Sequence, residues 1–188
     1  MEFNLRRWEA ATPKRYREAT ATHPQVIAWA DRAIADLDNA GVLILTGPFG
    51  TGKTHESYGA LRRIAEAGIT DFGMIATSAP DMYALLRPGG SEQGIQHEIN
   101  KLKRIPLLLI DDVGTEKISE FTEEATYRLL DERYKQLRPL IITSNLLIRD
   151  THGGRDLAGV LGERIVSRLA QDATVVPMTG DDRRRDRS

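Results

Sequence analysis

The chain has 188 residues, and its 26 Lys and Arg nearly balance its 27 Asp and Glu, for a formal net charge of −1. That length suits a single domain with its own core, and the balance excludes a polyanion binder acting through bulk charge, so contact with nucleic acid has to be a local patch. The absence of cysteine excludes disulfides, thiolate-bound zinc and thiol catalysis.

The first residues carry Glu2, Arg6, Arg7 and Glu9 and lack the apolar centre of a signal peptide. The longest apolar runs are about five or six residues, far short of the ~20 that span a bilayer. This reads as a soluble cytoplasmic protein with no membrane contact. His23, His55, His97 and His152 are scattered, without metal-ligand spacing.

Met1 to Thr22 is polar and Arg-rich, an arm that either packs on the core or serves as a partner-binding peptide. Pro24 opens a helix whose apolar face is Val26, Ile27, Ala30, Ile34 and Leu37, and Gly41 ends it. Val42 to Leu45 is a short apolar run that fits a buried strand. A Gly-rich loop follows, then a helix from Lys53 to Glu66 with Tyr58, Leu61, Ile64 and Ala65 at helical spacing, stopped at Gly68.

Phe72 to Thr77 reads as a strand and Ala79 to Leu86 as a short helix, broken by Arg87-Pro88-Gly89-Gly90-Ser91. Glu92 to Lys103 is helical, with Ile95, Ile99 and Leu102 on one side. Leu107 to Ile110 is a strand, Phe121 to Leu137 a helix, and Leu140 to Thr143 another strand. Gly153 and Gly154 mark a loop, Leu157 to Leu169 a helix, and Thr174 to Val176 an edge strand ended by Pro177. Alternating strands and helices predict a three-layer α/β fold, a parallel five-stranded sheet with helices on both faces. Ligands then bind at the C-terminal ends of the strands. The chain divides into an arm and helix (1–40), a core (41–178) and a mixed-charge tail (179–188). The tail contains Arg183, Arg184 and Arg185 and is either solvated or in contact with phosphate.

The loop between the first strand and its helix is Gly47-Pro48-Phe49-Gly50-Thr51-Gly52-Lys53-Thr54. It fits the pattern G-x-x-x-x-G-K-[ST] of P-loop NTPases in the strand–loop–helix setting that the mechanism requires. Glycines let the backbone aim N–H groups at a phosphate, and the helix adds its positive end. Lys53 is the charge for the β- and γ-phosphates, and Thr54 is a Mg²⁺ ligand.

A second cluster follows the run Leu107-Leu108-Leu109-Ile110, where Asp111 and Asp112 stand at a strand tip. Successive strand residues face opposite ways, so Asp111 can hold Mg²⁺ while Asp112 deprotonates the attacking water. Asn145 ends the next strand, placed either to bond the γ-phosphate or lytic water or simply to make a turn. Arg164 and Arg168 lie four apart on one helix face. They are a solvated stripe, partners of carboxylates, or arginine fingers.

Together these blocks resemble the DnaC/IstB-like branch of AAA+ ATPases, which includes replicative-helicase loaders and transposase-helper ATPases. The residues that carry the resemblance are Gly47 to Thr54 with His55, Leu109 to Gly114, Ile141 to Asn145, Glu132-Arg133-Tyr134, and Gly162 to Leu169. It runs from about Pro13 to Pro177. The resemblance implies ATP and Mg²⁺ as cofactors, Asp112 as the base where most AAA+ proteins have Glu, and Asn145 as sensor 1. It makes Arg168 an arginine finger acting on a neighbouring subunit, with Arg164 as its companion. The stretch Pro13 to Arg17 resembles the family's segment near adenine.

The implied function is an ATPase that loads a replicative helicase, touches single-stranded DNA and assembles with itself or with a partner. The alternatives are an IstB-like transposase helper, a nucleotide-dependent binding switch that hardly hydrolyses and, more distantly, a small P-loop kinase. Ala79 to Arg104 is the candidate DNA-facing stretch, where Lys101, Lys103 and Arg104 either contact phosphate or complement their own helix dipole. Two departures stand out. Family members usually carry a separate N-terminal domain, and twenty residues after Arg168 leave little or no helical lid. Glu56-Ser57 also replaces residues that are usually apolar in the family.

Overall fold

The computed structural model describes residues 1–115, 119–180 and 182. The tail expected at 179–188, including Arg183, Arg184 and Arg185, therefore falls largely outside the described residues.

The polar N-terminal arm is folded. Helix α1 (Glu2–Ala11) buries Trp8 and Asn4, and the Asn4 side chain donates to the Ile69 carbonyl over 2.8 Å. Pro24 is the first residue of helix α2 (Pro24–Ala35), with the His23 side chain capping it. This helix is shorter than expected. It ends at Asp36, a 3₁₀ turn covers Leu37–Asn39, and the buried face is Val26, Trp29, Ala30 and Ala33. Ile27, Ile34 and Leu37 are only half-buried. The packing follows Trp29, whose large ring sets which side of the helix faces the core.

Strand β1 (Val42–Thr46) is buried throughout. Helix α3 (Lys53–Ala67) follows the Gly-rich loop and stops at Gly68, whose φ of +72° takes the left-handed cap position. Strand β2 (Met74–Ser78) leads into helix α4 (Ala79–Leu86), capped by Ser78. Helix α5 (Ile95–Arg104) precedes strand β3 (Leu107–Val113), and helix α6 (Glu120–Lys135) precedes strand β4 (Leu140–Ser144).

The expected single helix over 157–169 is two: α7 (Leu157–Leu161) and α8 (Glu163–Gln171). Gly162 separates them with a φ of +88° and ψ of 135°, a conformation that breaks a helix and that glycine adopts without strain. Strand β5 (Ala173–Pro177) closes the sheet.

The sheet order is β2-β3-β4-β1-β5, with every pair parallel. Two cores cover its faces. One packs α4 to α8 against Ile44, Leu108, Ile110 and Ile142. The other packs α1, α2 and α3 against Leu43, Leu45, Leu109 and Ile141. Alternate residues of β1, β3 and β4 serve opposite cores, as the two-residue period of a strand requires. At the base of the sheet Arg133 is buried, and its guanidinium donates to the carbonyls of Leu102, Ile105, Pro106 and Pro139. Burial pushes its pKa down to about 9, which leaves it charged at neutral pH. Among the described residues no helix is long and apolar enough to cross a membrane.

Candidate nucleotide site

The Gly-rich loop lies at the C-terminal end of β1, the strand between β4 and β5. Gly47, Gly50 and Gly52 all have positive φ. At Gly47 a Cβ would stand 2.0 Å from the Met178 carbonyl oxygen, so the chain leaving β5 passes too close for any side chain. Thr51 is buried and donates its hydroxyl to the Pro48 carbonyl over 3.0 Å, which pins the loop.

Lys53 opens α3, and only 5 % of it is exposed. Its Nζ donates to the carbonyls of Gly47 and Pro48 at 2.7 Å each and to Asn145 Oδ1 at 2.8 Å. An ammonium has donors only, so the Asn145 amide must turn its oxygen toward it. Asn145 Nδ2 is left buried with no hydrogen-bond partner. A phosphate oxygen fits this arrangement. It accepts from an ammonium already clear of water, and the unpaired amide is a donor beside it.

The acids form a tighter group. Thr54 Oγ1 donates to Asp111 at 3.0 and 3.1 Å. Thr143 Oγ1 donates to Asp111 Oδ1 at 2.5 Å and accepts from the Asp112 N–H at 2.9 Å. Burial raises the Asp111 pKa, and the charge of Asp112 adds to this, against the opposing pull of Thr143, Thr54 and Lys53. A carboxylate disfavoured by burial is stabilised by a cation, and a hydroxyl with a carboxylate is the hard oxygen set that suits Mg²⁺. No cluster of three metal-binding side chains occurs among the described residues, so other oxygens, such as those of phosphates and water, would complete the shell.

Asp112 departs from the expected strand alternation. Its φ is +58°, and the register of β3 against β4 shifts between Ile110 and Val113. A bulge, not the pleat, re-aims Asp112. Its backbone sits in the left-handed region, costing about 1 kcal/mol, and such strain persists where surroundings hold it. Here Thr143 does so.

Arg15, Tyr16, Glu18, Phe49, Gly50, Gly52, Lys53, Thr54, His55, Asp112 and Asn145 line one cleft of about 470 Å³. Phe49 is 63 % exposed at its rim. Tyr16 stacks on Tyr58 with centroids 4.9 Å apart. Burial, then the charges of Asp111 and Tyr16, pushes the Tyr58 hydroxyl far above its ordinary pKa. A second cleft of about 270 Å³ lies at the opposite end of the strands and holds none of the residues expected to bind phosphate or Mg²⁺.

Arg164 and Arg168 do not line the nucleotide cleft. Arg168 is ion-paired with Asp131 on α6, and its guanidinium lies 5.9 Å from the Tyr134 ring. Arg164 is exposed, 5.8 Å from the Tyr127 ring. On α5, Lys101 lies 3.9 Å from Glu98. The sequence did not reveal Thr143 as a hydrogen-bond partner of Asp111, Asp131 as the partner of Arg168, or Thr22 and His23 as partners of Glu56. Thr143 was in view beside Asn145; a search for hydroxyls level with Asp111 on the neighbouring strand would have found it.

Comparison with known proteins bears on the family and the fold. The replicative helicase loader DnaI of Bacillus subtilis is 26% identical over 149 residues, covering 76% of this chain and 47% of that protein. An insertion sequence IS21 putative ATP-binding protein of Pseudomonas aeruginosa is 25% identical over 148 residues, covering 79% of this chain and 54% of the relative. The chain thus spans about half the length of these curated relatives. A crystal structure of DnaI superposes with a TM-score of 0.73 at 22% identity, covering 94% of this chain and 99% of that one. The fold is therefore the AAA+ type of P-loop fold. The family model described as IstB-like ATP binding protein matches residues 14–188, and the chain belongs to that family.

Proposed function

We propose that this protein is a Mg²⁺-dependent ATPase that acts as a replicative-helicase loader, with its core over 41–178 and residues 1–40 as an appended arm. The observation that carries the ATPase reading is Asp112, held in a left-handed backbone at the mouth of the cleft that contains Lys53 and Asn145. Lys53 and the loop N–H groups bind the β- and γ-phosphates. Thr54 and Asp111 hold Mg²⁺, which supplies charge neutralisation on the phosphate oxygens. Asp112 accepts the proton of the attacking water, and the free Asn145 Nδ2 donates to the γ-phosphate or to that water. Arg168 completes the site of a neighbouring subunit, with Arg164 beside it.

Relatives named as helicase loaders and relatives named for insertion sequences match with similar identity. The loader reading draws on the superposition with DnaI over nearly all of both chains. The second reading, a transposase helper, draws on the family model. Either role places the protein in the cytoplasm and at DNA, single-stranded DNA for the loader, with Lys101, Lys103 and Arg104 as candidate contacts.

The test of hydrolysis is Asp112→Asn. The variant should bind ATP within about twofold of the parent and hydrolyse it at least ~10²-fold more slowly. Unchanged turnover would remove Asp112 from the mechanism. Capture assays against a purified replicative helicase and a purified IS21-type transposase then separate the two partner readings.

A further inference from the structure

Glu56 is a carboxylate with 1 % exposure. It sits in the first turn of α3, three residues after Lys53. Its oxygens accept from Thr22 N at 2.9 Å, Thr22 Oγ1 at 2.5 Å and His23 N at 3.1 Å. Three donors and the start of two helices, α2 and α3, replace the water that the charge has lost.

What Glu56 holds is the chain segment that walls the cleft opposite the phosphate loop. That segment touches α3 on one face at successive turns. Tyr16 stacks on Tyr58 at 4.9 Å. At Gly59 a Cβ would fall 2.2 Å from Ala21 N and 2.3 Å from the Thr20 carbonyl carbon, so the segment's backbone lies directly on the helix. A glycine inside a helix costs about 1 kcal/mol relative to Ala; this contact is its reason. Arg62 reaches the Arg17 carbonyl at 3.4 Å. From this crossing the segment presents Arg15, Tyr16 and Glu18 to the cleft.

The two walls start from different residues of α3. The phosphate side rests on Lys53 and Thr54 at its first turn, together with Asn145, Asp111 and Thr143. The other wall hangs on α3 through Glu56. We propose that Glu56 is a positioning residue for the nucleoside half of the ligand: it sets residues 15–18 against the phosphate loop and so fixes affinity for the nucleoside without touching the phosphates. The proposal rests on the nucleotide-binding reading.

The experiment is calorimetric titration of the whole protein with ATP, GTP and inorganic tripolyphosphate. Glu56→Gln keeps the shape and can still accept from the two N–H groups while donating to the Thr22 hydroxyl, so what it removes is the charge that strengthens all three bonds. It should weaken ATP about tenfold, narrow the ATP-to-GTP preference, and leave tripolyphosphate within twofold of the parent. Thr22→Val, a change at an exposed position that removes one of the three bonds, should give the same split at smaller size and serves if Glu56→Gln does not fold. Equal losses for ATP and tripolyphosphate, or no loss in either variant, would overturn the proposal. Failure of the parent to bind tripolyphosphate would instead count against the phosphate-loop reading, which keeps the two failures apart.

Discussion

Lys53 and Arg168 are both cations proposed to meet an ATP phosphate, and both are occupied within the chain, but by different partners. Lys53 donates to three neutral oxygens, two from its own loop and one from Asn145, with the Asp111 carboxylate acting on it through charge. Arg168 is held by a full charge, Asp131, whose side chain is 12 % exposed. A phosphate offers Lys53 a charge in place of dipoles, so that exchange runs downhill. For Arg168 the exchange is charge for charge, and it needs a new partner for the carboxylate. Lys135 is already there, 2.6 Å from Asp131. The nucleotide loop is thus ready as it stands, whereas the arginine on α8 has to be released. If Arg168 serves a neighbouring site as proposed, nucleotide binding and completion of that site are separate events with separate controls.

The largest effect tests the ready side. Lys53→Ala removes the one buried cation that the loop carbonyls and Asn145 converge on. Each hydrogen bond to a charged group is worth about 1.5–3 kcal/mol, so ATP affinity in titration should fall by about a hundredfold or more. Retained affinity would mean that the phosphates bind elsewhere.

A smaller effect comes from making Lys53 resemble Arg168. Asn145→Asp gives it a carboxylate partner and places negative charge where the γ-phosphate is to lie. ATP should bind about tenfold more weakly or worse, while Asn145→Ala, which only empties the position, should lose less. Equal losses from the two changes would show that the charge of the partner is not what keeps Lys53 available.

Much of this contrast was legible in the sequence on one side only. The loop, Lys53, Asp111, Asp112 and Asn145 follow continuous apolar strands such as Leu107 to Ile110, and residues at strand tips announce themselves by where the run stops. The parallel sheet was legible for the same reason. Helix α1 was not, because Trp8 stands among Glu2, Arg6, Arg7 and Glu9, and because buried Asn4 interrupts the apolar stripe. The break at Gly162 hid inside a helical pattern, since a lone glycine is also tolerated within helices. The left-handed backbone of Asp112 leaves no mark in a residue type that suits both strand tips and turns. The Arg168 partner was invisible for a different reason. Asp131 and Arg168 lie 37 residues apart on two helices, and sequence spacing reports pairs within a helix, not between helices.

The smallest expected effect comes from the reverse exchange, Asp131→Asn, which gives Arg168 a neutral partner like that of Lys53. Asn still accepts from the guanidinium and fills the same space, so the fold should survive with Lys135 turned to solvent. What changes is the cost of withdrawing Arg168. Exposed pairs contribute roughly 0.2–1 kcal/mol, and this pair is more buried, so the release should ease by about 1 kcal/mol. If Arg168 serves a neighbour, ATPase activity per subunit climbs with protein concentration, and Asp131→Asn should shift the midpoint of that climb about fivefold lower. Arg168→Ala should abolish the climb in both backgrounds. A midpoint shifted to higher concentration would mean that Asp131 orients Arg168 for its neighbour, and the contrast with Lys53 would then be one of two prepared cations, each set by its own partner.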